Sequence, residues 1–257
     1  MALSSDLSSS NPKKNKKVSE TGHAKNVANF QDLILFVTGY GASYNPTKNN
    51  LKLPQLTTIA STSQTSLADV ITKNTTFNNK VNDRAKAFSG LKPLSTRLIN
   101  ALATTDASSQ MIKDAKGFNR KLQGNRASAI ETNLDLETPA PITISSSQQS
   151  YDQQIQHFAG LISVLQSETS FAPNETELSI ATITALKNDL AAKNNAVASA
   201  YTSLSNARIN RNKSIYADLS GLVDVALEVK KYVKSVFGAT SPEFAQIKGI
   251  EFKKLKK

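Results

Sequence analysis

Phe30-Gln31-Asp32-Leu33-Ile34 returns in the second half of the chain as Phe158-Ala159-Gly160-Leu161-Ile162. The aromatic position and the two closing apolar positions coincide. Working outward, Tyr44-Asn45-Pro46 falls on Phe171-Ala172-Pro173, and Leu51, Leu53 and Leu56 fall on Leu178, Ile180 and Ile183. Further along, Arg84-Ala85-Lys86 falls on Arg211-Asn212-Lys213 and Phe88 on Tyr216. Near the ends, Ser109 through Lys116-Gly117-Phe118 falls on Ser241 through Lys248-Gly249-Ile250. A pattern kept in order across both halves reads as a tandem duplication of one helical unit. Repeats of this kind build scaffolds and extended surfaces.

Apolar spacing predicts the helices within each unit. Val27, Phe30, Leu33, Ile34 and Val37 share one face of a helix over Lys25 to Thr38, stopped by Gly39-Tyr40-Gly41. A long helix follows from Pro54 to Phe88, with Leu56, Ile59, Leu67, Val70, Phe77, Val81 and Phe88 near the coiled-coil period and Ser63, Asn74 and Arg84 on the same stripe. Past Gly90 and Pro93, shorter helices are expected over Leu94 to Ala103 and Ser108 to Gly117. The second unit opens with a helix over Tyr151 to Gln166. Asn174 and Glu177 have capping-box spacing, and neither Gly nor Pro intervenes from there to Gly221. Ile183, Leu186, Leu190, Val197, Leu204, Arg211, Ile215 and Leu222 continue one heptad-like stripe through Ala226, Val229 and Val233. Such a helix would hold about 45 residues and run roughly 70 Å. Ser241-Pro242-Glu243 combines a cap, a proline at the first helical position and an acid suited to a helix N-terminus.

The expected fold class is all-α: an elongated antiparallel helical bundle built from two tandem helical-hairpin repeats with long coiled-coil-like helices. Its parts are a disordered basic tail over 1–22, repeat 1 over 23–125, a linker over 126–150, repeat 2 over 151–252 and a basic tail over 253–257. The linker holds Pro139 and Pro141, which favour extended backbone, and Ile142-Thr143-Ile144 could form a short strand. Arg84 and Arg211 occupy matching stripe positions and are read as the wet end of the apolar seam, because a buried guanidinium needs a carboxylate or several carbonyls.

Composition excludes several chemistries. Cysteine is absent, which rules out disulfides, thiolate metal sites and cysteine nucleophiles. His23 and His157, the only histidines, lie far apart without clustered acids, so no metal site is expected. His23 is read as preceding the opening helix and His157 as lying inside its counterpart. No carboxylate pair suggests acid–base catalysis, and Gly39-Tyr40-Gly41 lacks the strand and lysine of a phosphate loop. The expectation is a non-enzymatic protein with no cofactor and no small-molecule substrate. The N-terminus lacks the apolar core of a signal peptide, and the longest apolar run, Leu33 to Val37, is too short to span a bilayer. A soluble, cytoplasmic protein is expected, with signal-less export left open.

Charge divides the halves. Residues 24–125 carry 13 Lys/Arg against 5 acids, whereas 126–250 carry 10 against 12. Lys13, Lys14, Lys16 and Lys17 at one end and Lys253, Lys254, Lys256 and Lys257 at the other are the candidate contacts to an anionic partner. Three readings follow. The first is a structural or interaction protein that self-associates, or binds another protein, through its long helices or opposed charges. The second is a basic, sequence-nonspecific nucleic-acid-associated protein. The third is a membrane-active, pore-forming-like helical protein that uses Phe30 and Leu33 to Val37.

Three phrases, Gly22-His23-Ala24-Lys25-Asn26-Val27-Ala28-Asn29-Phe30, Tyr44-Asn45-Pro46, and Lys234-Ser235-Val236-Phe237-Gly238 with Ser241-Pro242, resemble an uncharacterised family of all-helical bacterial proteins. The resemblance runs over most of the chain past the N-terminal tail. It implies a selected helical fold, with no functional residues to carry over.

Overall fold

The structure, a computed structural model, describes residues 20–125 and 149–255. Every regular element among them is helical. These are α1 (Glu20–Gly39), α2 (Leu53–Phe88), α3 (Leu91–Leu102), α4 (Ser109–Gln123), α5 (Tyr151–Ser167), α6 (Ile180–Tyr216), α7 (Leu222–Phe237) and α8 (Pro242–Lys248). Short 3-10 turns at Asn49–Leu51 and Thr176–Leu178 lead into α2 and α6. The expected N-terminal tail before Glu20, almost all of the linker, and Ile142-Thr143-Ile144 lie outside the described residues.

The chain divides into two compact units that cut across the sequence halves. Unit 1 joins residues 1–72 to 205–257, and unit 2 is residues 73–204. Unit 1 therefore combines the opening of the first half with the close of the second. Its core draws Phe30 and Leu33 from α1, Leu56 from α2, Ile215 from α6, and Val225 and Val229 from α7, all fully buried. Unit 2 combines the close of the first half with the opening of the second. Leu91, Leu98 and Leu122 pack there with Phe158, Leu161, Ile183 and Leu190. Within unit 2, Phe77 meets Tyr201 and Arg84 meets Asn194. Rising numbers on α2 thus face falling numbers on α6, so the two segments run antiparallel. Truncating any one of these buried aromatic or leucine side chains to alanine costs about 2–5 kcal/mol.

Several expectations need correction. α1 starts at Glu20 rather than Lys25, so His23 lies inside the helix and is buried. Pro93 does not delay α3: it is the third residue of a helix that starts at Leu91, where a backbone N–H has no intrahelical partner to lose. Gly117 does not end α4, which runs on to Gln123 and stops at Gly124 in the left-handed region, φ +82°. Asn174 and Glu177 form no capping box. Thr176–Leu178 is a 3-10 turn, and Ser179 Oγ instead accepts from the Thr182 N–H at 3.3 Å.

α6 has 37 residues and ends at Tyr216. Beyond it, Leu219 takes φ +63° and Gly221 passes so close to the Ala217 backbone that no side chain fits. The apolar period runs straight across this break, which is why the stripe suggested one longer helix. Arg211 is buried rather than at a wet edge, and its guanidinium donates to Asn212 Oδ1 at 3.0 Å. Arg84 is half-buried over the Tyr151 ring, 4.0 Å from the centroid, and donates to Asn194.

A candidate basic binding face

Two of the terminal lysines fall within the described residues, and unit 1 engages both. Asn26 Nδ2 donates to the Lys253 carbonyl at 2.8 Å, and the Lys253 N–H donates back to Asn26 Oδ1 at 3.0 Å. The Lys254 ammonium pairs with Asp224 at 2.7 Å. That pairing raises the Lys254 pKa and lowers that of Asp224. Lys253 and Lys254 thus help to fasten the C-terminal segment to its own unit. Lys13, Lys14, Lys16, Lys17, Lys256 and Lys257 lie outside the described residues.

A cluster of exposed cations lies on α4 of unit 2. The helix begins with Ser108 Oγ accepting from the Met111 N–H. Ala115 and Leu122 are buried, while Ile112 and Phe118 pack at the edge of the same core. This places Lys113, Lys116 and Arg120, at i, i+3 and i+7, on the opposite, exposed stripe, with exposed Lys121 beside them. The four line a cavity of about 820 Å³ with Phe118 and Val164. Lys121 Nζ lies 5.7 Å from the Phe118 ring centroid. Asp114 also reaches this rim, but it accepts from Gln110 at 3.0 Å. Among the described residues none of the four cations has an ion-pair partner.

Like charges at i, i+3 and i, i+4 destabilise a helix by a few tenths of a kcal/mol per pair. Arg120 and Lys121 in the last turn are offset by the helix dipole, but Lys113 and Lys116 are not. A bound polyanion would relieve that repulsion. His157, on α5, feels the same field. Its ring is buried with Nε2 unpartnered, and burial together with the Lys121 charge holds its pKa below the ordinary histidine value.

The sequence carries a signal for this face: Lys113, Lys116, Arg120 and Lys121 stand at helical spacing, across the Gly117 at which the helix is expected to stop. The expected charge contrast between sequence halves also does not carry over to the compact units. Unit 1 holds 18 Lys/Arg against 9 acids, and unit 2 holds 13 against 11. Interleaving the halves gives both units a net positive charge.

The proposed membrane-touching face is mostly interior. Phe30, Leu33 and Val37 are buried, whereas Leu35 is 70% exposed and Phe36 38%. No helix among the described residues is long and apolar enough to cross a membrane. His23 and His157 sit in different units, and no group of metal-ligating side chains occurs among the described residues. No protein-family model matches the chain, and no curated protein or solved structure is similar to it.

Proposed function

We propose that this chain is a non-enzymatic interaction protein, built by duplication of one helical unit, whose α4 face holds a nucleic-acid backbone without reading its sequence. The observation that carries the proposal is the unpaired basic stripe of Lys113, Lys116, Arg120 and Lys121 on one cavity. Its chemistry is ammonium and guanidinium donors aimed at solvent, with one half-buried aromatic ring and no stacking platform. That combination suits phosphate oxygens rather than base edges.

The duplication reading rests on recurring order and burial. A helix, a 3-10 turn directly before a long helix, and two shorter helices recur in that order, the first copy carrying an additional 3-10 turn at Gly41–Ser43, and the long helices have 36 and 37 residues. Phe30 and Phe158 are both fully buried, as are Leu33 and Leu161, and Leu56 and Ile183. On this reading α6 is a coiled-coil-like helix, because buried Ile183, Leu190, Val197 and Leu204 recur every seven residues.

Fluorescence anisotropy with a labelled DNA duplex over a salt series tests the function. Four phosphate contacts predict a slope of log K against log salt of about −3 to −4. Replacing Lys113, Lys116, Arg120 and Lys121 by Gln should remove most of the affinity and flatten that slope. Replacing Lys13, Lys14, Lys16 and Lys17 by Gln should leave most of it. The opposite pattern would place the contact in the N-terminal lysines and refute the α4 assignment.

A further inference from the structure

Both ends of the segment that joins α4 to α5 are fixed beside the α4 cations. The Asn125 N–H donates to the Arg120 carbonyl at 3.1 Å, and Gln149 Nε2 donates to the Lys121 carbonyl at 2.8 Å. The Gln149 side chain also packs over Gly124. The chain thus leaves and rejoins unit 2 at the last turn of α4, where Arg120 and Lys121 line the cavity with Lys113 and Lys116. Between those two points run residues 126–148. They carry Glu131, Asp135 and Glu137 against the single cation Arg126, a net charge of −2. Residues 1–19, by contrast, carry Lys13, Lys14, Lys16 and Lys17 against Asp6 alone and match a basic face poorly.

Reach and charge both direct this segment to the cavity. The helix from Asn125 back to Lys113 covers about 18 Å at about 1.5 Å per residue. Glu131 stands six residues past Asn125, and extended backbone of about 3.3–3.6 Å per residue carries it that far. Asp135 and Glu137 have more chain still. Ile130, Leu134 and Leu136 are interleaved with the acids, and Phe118 and Val164 give the cavity an apolar wall. We propose that residues 130–137 occupy the α4 cavity, with Glu131, Asp135 and Glu137 set against Lys113, Lys116, Arg120 and Lys121. Because the segment is joined to the cavity's own edge, its acids act at an effective concentration of millimolar order. Ion pairs to exposed cations are individually weak, so the occupant can be displaced. A nucleic-acid backbone must displace it to bind, which makes the segment an internal competitor for this face. That consequence rests on the nucleic-acid reading, whereas the occupancy itself does not.

The chain has no cysteine, so a single nitroxide label can be placed at Asn133→Cys, between the acids. Paramagnetic broadening of the Lys113 and Lys116 amides at low salt, without nucleic acid, then reports the occupant. The account predicts broadening that falls several-fold when Glu131→Gln, Asp135→Asn and Glu137→Gln are introduced together. It predicts the same fall when the four α4 cations are replaced by Gln, although the covalent connection is unchanged in both variants. Broadening that is equal with and without the acids would overturn the proposal. Adding duplex DNA to the labelled chain should remove the broadening. Duplex that binds at the α4 cations while the broadening persists would also overturn it. Acid-dependent broadening in a chain that binds no duplex in any form would support the occupancy and refute the nucleic-acid reading instead.

Discussion

Asn26 on α1 pairs with Lys253 as a neighbouring strand would, donating to its carbonyl at 2.8 Å and accepting from its N–H at 3.0 Å. A buried side-chain amide thereby satisfies both main-chain groups of a residue at the far end of the chain. It joins the first helix to the last described segment.

Asn26→Ala should therefore cost about 2–3 kcal/mol, because it leaves the N–H and the carbonyl of Lys253 without their side-chain partner. Asn26→Asp keeps the acceptor but loses the donor, and should fall between alanine and the original residue. Chemical denaturation with an unchanged m-value would register both effects.

Leu219 holds φ +63° and is 71% exposed, so its conformation is costly and its side chain buries little. Leu219→Gly should raise stability by about 0.5–1 kcal/mol: the left-handed strain relieved slightly exceeds the entropy that glycine adds to the unfolded chain. Gly221→Ala should do the reverse, since a Cβ there strikes the Ala217 backbone. Thermal melts of the two variants should move in opposite directions.

Gly160 on α5 leaves room for the Phe118 ring of α4. Alanine for glycine inside a helix ordinarily gains about 1 kcal/mol. Here the added methyl would overlap the ring, and overpacking of this kind costs about 1–3 kcal/mol. Gly160→Ala should therefore be neutral to destabilising, and Phe118→Leu in the same chain should recover the propensity gain. A double-mutant cycle that finds the two changes additive would contradict this contact.

His157 gives a signed pH effect. Its folded pKa is depressed by burial and by Lys121, while the unfolded chain keeps the ordinary value of 6.5. The unfolded state thus binds more protons as pH falls through 6.5. The stabilising contribution is complete above that value and is lost progressively below it. His157→Leu should remove this loss and relieve the unpartnered Nε2, giving a melting temperature that changes less between about pH 7 and pH 5. An unchanged pH profile in the variant would mean that His157 is not held neutral.

The elements that were legible in the sequence were those whose information is local. α2 and α5 follow from apolar spacing, and α8 from Ser241 and Pro242, where Ser241 Oγ accepts from the Phe244 N–H as expected. What was missed depends on distant partners or on atypical residues at special positions. Gly117 resembles a stop but sits within α4, and the left-handed cap falls at Gly124. Leucine seldom adopts positive φ, so nothing at Leu219 announced the end of α6. His23 and Asn26 are polar and were not expected inside. They are buried because Tyr216 and Lys253, both from the far end of the chain, supply partners. The basic face of α4 was hidden by the early stop at Gly117, since Arg120 and Lys121 then lay beyond the expected helix.

The central structural claim is that each compact unit needs both halves of the chain. It is tested by inserting a specific protease site between Asn125 and Gln149, cutting the chain, separating the fragments and recording the circular dichroism and amide spectra of each. The account predicts that neither fragment alone gives a cooperative melt or dispersed amide signals, and that mixing the two restores both. Two fragments that each fold cooperatively by themselves would contradict it.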